Sequence, residues 1–220
     1  MTSTAGSPEP TREAVHPRSE PPGRIHRFGR AQRLAHRTTS WLMLLCLATA
    51  ACLYFPPLSE LVGRRHLLVT VHEWTGILLP VPFLLGLTSS DFRRDLRRLN
   101  RFAEYDWRWL RAVRKRRTSP RSRPAGKFNA GQKLYAGWIA GAVPVMMITG
   151  LLMWFTNLLP PIPRTNAIFV HDWVALTITL VVVGHMRLAC RDPEARRGMR
   201  TGYVDLAWAA RHHPKWVGRD

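Results

Sequence analysis

Four nearly charge-free runs, separated by arginine-rich segments, decide what this chain can be. The runs cover about 38–56, 67–88, 134–155 and 167–190. A hydrocarbon core about 30 Å thick is crossed by about 20 helical residues, so each run can span once. Backbone groups inside lipid must pair within their own segment, so the spans are helices. The third run, from Leu134 to Phe155, carries no charge at all. The second holds Glu73, Pro80 and Pro82, and the fourth holds Asp172 and Arg187. A soluble basic domain would mix its charges with its core residues, and this chain separates them. Nine Trp and eight Phe also exclude a simply disordered chain. Cys46, Cys52 and Cys190 show no CxxC spacing, so no disulfide framework, zinc site or iron–sulfur site is indicated.

Charge sets the topology. Residues 89–130 hold 14 Lys+Arg and 4 Asp+Glu, whereas the connections 57–66 and 156–166 hold three Arg between them, Arg64, Arg65 and Arg164, and one acid, Glu60. The positive-inside rule places the long connection and both tails in the cytoplasm. The first run starts too late for a cleaved secretory signal and is read as a retained span. The expected fold class is all-α: a polytopic four-helix transmembrane bundle with both termini cytoplasmic. Residues 1–26 are expected to be a disordered cytoplasmic tail, 27–216 the four-helix domain with its basic loop 89–130, and 217–220 the C-terminal end. The net charge of +19 would suggest nucleic acid in a soluble protein. Here the basic residues lie beside anionic lipid headgroups, so membrane lipid is the expected partner and nucleic acid is not.

The nine histidines divide by position. His16, His26, His66, His212 and His213 fall in tails or a short loop and are expected to be solvated. His36, His72, His171 and His185 fall in or at the ends of the spans, where an ionisable group is costly and usually functional. The topology puts His36 and His185 near the inner face, and His72 and His171 near the outer face. His171 and His185 are fourteen residues apart, about 40° short of four full turns, so they share one side of a helix about 21 Å apart. Two haems stacked across a bilayer need ligands placed this way. Neutral imidazole is an axial ligand for haem iron, and two imidazoles leave no open position. The arrangement therefore indicates two b-type haems built for electron transfer, His36 and His185 holding the inner and His72 and His171 the outer.

Three segments then carry a family likeness: KFNAGQKLYAGW at 127–138, HDWVALTITLVVVGH at 171–185 and DLAWAARHHPKW at 205–216. With RFGRAQRLAHRTTSW near the start and VHEWTG at 71–76, the likeness spans about 27–216. The chain resembles the cytochrome b (gamma) subunit of membrane-bound formate dehydrogenases, within the bacterial di-haem cytochromes b. The resemblance implies a catalytic subunit outside, an iron–sulfur subunit feeding the outer haem, and menaquinone reduced near the cytoplasmic face. It also implies that Asn129 and Gly131, with His185 close by, line the quinone site. From the residues alone, Asn129 reads first as a helix N-cap at the membrane edge. The chain shows no sequence sign of formate chemistry itself, which would belong to another polypeptide.

Cytochrome b subunits of hydrogenases, thiosulfate reductases or other transmembrane reductases share this plan. A haem-free transporter or anchor using the same histidines for proton chemistry is the competing class. Glu73 and Asp172 depart from the family pattern. They are expected to face water at the membrane edge, or else to stabilise the oxidised outer haem or to pair with Arg64 or Arg65.

Overall fold

The computed structural model describes residues 23–155 and 164–217, apart from 118, 120 and 121. A short strand β1 (Arg24–His26) leads into α1 (Arg30–Tyr54), and α2 (Pro56–Val62) turns the chain. The chain returns through α3 (Arg65–Leu78) and α4 (Val81–Gly86), then forms α5 (Ser90–Leu99) and α6 (Glu104–Arg114). The second long pair is α7 (Ala130–Trp154) and α8 (Arg164–Arg191). The helices α9 (Pro193–Thr201), α10 (Leu206–His212) and α11 (Pro214–Val217) follow, with strand β2 (Tyr203–Asp205) between α9 and α10. Four segments are long and apolar enough to cross a membrane: Arg30–Tyr54, Arg65–Gly86, Ala130–Trp154 and Thr165–Arg191. The protein is an all-α, multi-pass membrane protein of the four-helix kind expected.

The helices α1 and α7 begin earlier than the apolar runs, at Arg30 and Ala130. Hydropathy marks only the lipid-facing length, and both helices carry polar turns on their cytoplasmic ends. The second span loses part of its hydrogen-bond ladder at Pro80, while Leu79 and Pro80 keep right-handed helical angles. Pro80 has no N–H to continue the ladder, so α3 closes with Leu79 N–H donating to the Gly76 carbonyl and α4 starts afresh at Val81. At its inner end, Arg93 donates to the carbonyls of Leu87 and Thr88 at 2.6 and 3.2 Å. These bonds satisfy carbonyls that a helix end leaves orphaned and fix the corner into α5.

The helices α1, α3 and α4 pack as one group and α7 with α8 as another. The groups meet in a buried cluster of Met43, Leu79, Ala142, Ile178 and Val182. Ile178 stands midway between His171 and His185 along α8. The apolar core therefore lies between the two histidine levels, and each level sits near one membrane edge.

A folded cap closes the cytoplasmic end. Residues 24–26 were expected in the disordered tail; instead β1 pairs antiparallel with β2, Ile25 opposite Val204. Residues 1–22 and 218–220 lie outside the described residues. Gly202, at φ +93°, turns α9 into β2 and accepts from the backbone N–H groups of Arg27 and Phe28. A side chain there would be strained and would strike the Phe28 carbonyl at 2.7 Å.

His213 was expected on the solvated surface and is instead buried, at 4% exposure. Its Nδ1–H donates to the Gly126 carbonyl at 2.6 Å, and its Nε2 accepts from Arg27 Nη2 at 3.2 Å. That guanidinium also donates to the Lys127 carbonyl and stands about 5.1 Å from the Phe28 and Trp208 rings. Burial lowers the Arg27 pKa to about 10, against the pull of Asp192 and Asp95, so it stays cationic at neutral pH.

Burial, and then the charge of Arg27, push the His213 pKa down to about 3. An unfolded histidine takes up its proton near pH 6.5. Between those values the unfolded state binds more protons, so the cap weakens as pH falls below about 6.5, by up to about 1.4 kcal/mol per unit. Hydrogen-exchange protection across 203–217 should fall as pH is lowered from 6.5 to 5, after correction for intrinsic exchange. The His213→Gln variant should flatten that dependence, and an identical dependence in both proteins would refute the assignment.

Candidate functional site

Each expected histidine pair is brought together. The ring centres of His36 and His185 lie 6.3 Å apart with planes 52° from parallel. Those of His72 and His171 also lie 6.3 Å apart, with planes at 71°. This spacing tests whether iron fits. Two metal–imidazole bonds of about 2 Å, plus about 1.2 Å from each nitrogen to its ring centre, put the centres about 6.4 Å apart. Imidazoles in mutual van der Waals contact would sit closer. Among the described residues no group of three or more His, Cys, Asp or Glu gathers as a metal site. Histidines in twos suit the axial positions of haem rather than a tetrahedral ion.

Two threonines fix the outer pair. Thr49 on α1 directs its hydroxyl proton to the Leu45 or Cys46 carbonyl, at 2.9 and 3.0 Å. Its oxygen is then free to accept from His72 Nδ1–H at 2.9 Å. Thr149 on α7 does the same, donating to the Val145 carbonyl at 2.8 Å and accepting from His171 Nδ1–H at 2.9 Å. A hydroxyl with its one proton committed can only accept from the imidazole. Both rings are therefore Nδ1–H tautomers, with Nε2 unprotonated and able to bind iron. His171 lies over Gly150, where an added Cβ would sit 3.5 Å from its Cε1. Gly76 is one turn beyond His72, on the same helix face, and an added Cβ there would meet nothing within 4 Å. The donor set and the space beside it both fit a macrocycle.

An acceptor on Nδ1 raises the donor strength of the ligating nitrogen and favours ferric iron. Replacing Thr49 or Thr149 with the isosteric valine should therefore raise the midpoint potential of a haem held by His72 and His171. A shift of tens of mV is expected, where about 59 mV is a tenfold change for one electron. Spectroelectrochemical titration checks this, and an unchanged or lowered potential would remove the threonines from the electronic account.

The inner pair is held differently. Neither His36 nor His185 makes a side-chain hydrogen bond among the described residues. The Tyr135 ring instead stacks on His185, with centres 4.7 Å apart and planes 16° from parallel.

Asn129 sits two residues beyond the cap, at the N-terminus of α7. Its Oδ1 accepts from Gln132 N–H at 2.9 Å, and Gln132 Oε1 accepts from Asn129 N–H at 3.0 Å. This reciprocal capping box uses the asparagine oxygen, while its Nδ2 remains a donor. Gly131 lies under Trp109 of α6, which a Cβ would meet at 3.1 Å. The start of α7 is fastened by Lys133, whose Nζ donates to Asp106 Oδ2 at 2.6 Å and to the Arg101 carbonyl at 2.9 Å. Asp106 also accepts from Ala103 N–H, capping α6. A second buried pair, Lys127 on Asp95 at 2.6 Å, ties the loop to α5. Burial lowers the Lys127 pKa, and Asp95 opposes that shift.

Glu73 is half-buried and Asp172 exposed. Neither forms an ion pair with Arg64 or Arg65 among the described residues. Thr49, Thr149, Tyr135, Trp109 and Asp106 were not singled out from sequence. One signal could have exposed two of them. Residues 135 and 149 are fourteen apart on α7, as 171 and 185 are on the antiparallel α8.

Residues 27–202 match the family described as prokaryotic cytochrome b561. The formate dehydrogenase cytochrome b556 subunit of Haemophilus influenzae is 28% identical over 207 residues, covering 88% of this chain and 82% of the relative. The cytochrome b556(fdo) subunit of formate dehydrogenase from Escherichia coli K12 is 23% identical over 199 residues, covering 87% and 91%. The nitrate-inducible cytochrome b556(Fdn) subunit of the same organism is 30% identical over 94 residues, covering 41% and 43%.

Proposed function

The chain belongs to the prokaryotic cytochrome b561 family, and from this membership we propose that it is the membrane-embedded cytochrome b subunit of a formate dehydrogenase. It is a multi-pass protein of the bacterial inner membrane, and its family carries b-type haem. It takes electrons from an iron–sulfur partner at the outer face and delivers them to menaquinone at the cytoplasmic face. Formate oxidation occurs on a separate catalytic subunit. The two histidine pairs at iron-ligating separation, on either side of the apolar core, carry this proposal. The names of the full-length relatives supply the formate assignment.

When bound, the two haems supply one-electron carriers at two depths. This chain's own residues do the remaining work. His72 and His171 would hold the outer haem and His36 and His185 the inner one, and two imidazoles per iron would suit it to electron transfer rather than oxygen chemistry. The outer imidazoles commit their Nδ1–H to threonine. The inner ones do not, and they stand at the end where α7 begins. There His185 Nδ1–H and Asn129 Nδ2 can donate to the carbonyl oxygens of a quinone, while Gly131 lets Trp109 pack closely against the helix start beside it. Protons enter from the cytoplasmic water beside the cap. Electrons leave at the inner face while their source is outside, so turnover moves charge across the membrane.

Membranes containing the assembled complex should show haem reduction by formate and not by hydrogen or thiosulfate. Added menaquinone should then reoxidise the haem. Reduction by hydrogen alone would reassign the partner while leaving the cytochrome intact.

A further inference from the structure

The helices α7 and α8 run antiparallel, and each α8 histidine assigned to a haem meets an α7 side chain. At the outer level that side chain is Thr149, accepting from His171 Nδ1–H. Four turns away along α7, the equivalent position is Tyr135, stacked face to face on His185 at 4.7 Å and 16°. A hydrogen bond and an aromatic stack can both stop an imidazole from rotating about its side-chain bonds. They differ in one respect: the bond consumes Nδ1–H and the stack leaves it free.

We infer that Tyr135 is the positioning residue of the inner haem ligand, fixing the His185 ring plane through stacking so that Nδ1–H stays available to a bound quinone. The inference rests on the di-haem, quinone-reducing function proposed above. Three features separate it from ordinary core packing. The stacked planes are nearly parallel, whereas His36, the other ring beside His185, lies at 52°. The tyrosine occupies the register position at which the other level carries a ligand-orienting group. His185 makes no side-chain hydrogen bond among the described residues, so nothing else of that kind sets its rotation.

The consequence is spectroscopic. The angle between two axial imidazole planes sets the g anisotropy of low-spin ferric haem, so a ligand free to turn shifts or broadens that signal. The test uses the full-length holoprotein, with the outer haem as internal control. Haem stoichiometry is first measured on the unmodified protein. Fewer than two haems would defeat the underlying function, and the inference with it. Tyr135→Phe keeps the ring and should retain both haems, both EPR signals and the inner midpoint potential. Tyr135→Leu removes the stack and should shift or broaden the inner haem's low-field g signal, leaving the outer signal in place.

Loss of the inner haem in Tyr135→Leu together with its retention in Tyr135→Phe would equally support the stack. Two haems with unchanged EPR signals in Tyr135→Leu would overturn the inference alone, the di-haem function standing. A Tyr135→Phe protein that loses or shifts the inner signal as the leucine variant does would also overturn it, by assigning the role to the hydroxyl.

Discussion

Replacing His72 or His171 with alanine is expected to lower the haem content from two per chain to one and to leave the four-helix bundle inserted. On the proposed ligand assignment His72 and His171 would together hold the outer haem, so deleting one would leave it a single imidazole. The bundle should survive. Its central cluster of Met43, Leu79, Ala142, Ile178 and Val182 lies between the histidine levels and contains neither substituted residue. The α-band should fall by about half, and the remaining haem should keep the potential of the inner one. Electron entry from an outer donor should be lost, while chemical reduction of the inner haem by dithionite persists. Alanine at His36 or His185 should give the mirror result, removing the inner haem and quinone reduction together. Two haems per chain in any of the four variants would break the ligand assignment.

The second large effect concerns the buried ion pair at the start of α7. Lys133 and Asp106 have side chains only 4% and 0% exposed and meet at 2.6 Å. Removing one partner of such a pair leaves the other charge buried without compensation, a cost of about 3–5 kcal/mol. Lys133→Met should therefore destabilise the cytoplasmic end by about that amount. Proteolysis of the loop between α6 and α7 and a lowered unfolding temperature would register the loss. The double variant Lys133→Met with Asp106→Leu should recover much of it, because an apolar pair of similar volume removes the stranded charge. Failure of the double variant to recover would mean that the bonds to the Arg101 carbonyl and Ala103 N–H matter more than the charges. Since the same pair fastens the turn that presents Asn129 and Gly131, the single variant should also weaken quinone reduction without loss of haem.

The membrane made much of this molecule legible in its sequence. Lipid forces long apolar helices, so the spans could be located by hydropathy and oriented by arginine, and the depth of each histidine followed by counting. What escaped has a common physical cause. Thr49 and Thr149 look like ordinary back-bonded threonines in apolar helices, and only the partner helix reveals that their oxygens face imidazoles. Asp106 and Lys133 are 27 positions apart in a segment whose net charge argues for solvation. Tertiary pairing buried them regardless. The cap escaped in the same way. His213 sits in a basic tail, and its neutral, buried state depends on Arg27, nearly two hundred residues earlier. Helix starts were placed late because hydropathy ends where the headgroups begin, whereas the helices continue through polar turns to their caps.

The central claim is that this bundle holds two haems between paired histidines at two depths. A dithionite-reduced minus oxidised spectrum, combined with haem and protein quantitation on the purified chain, tests it most directly. The account predicts a b-type α-band and two haems per chain. A correctly inserted chain with no haem signal, or with a single haem, would contradict it.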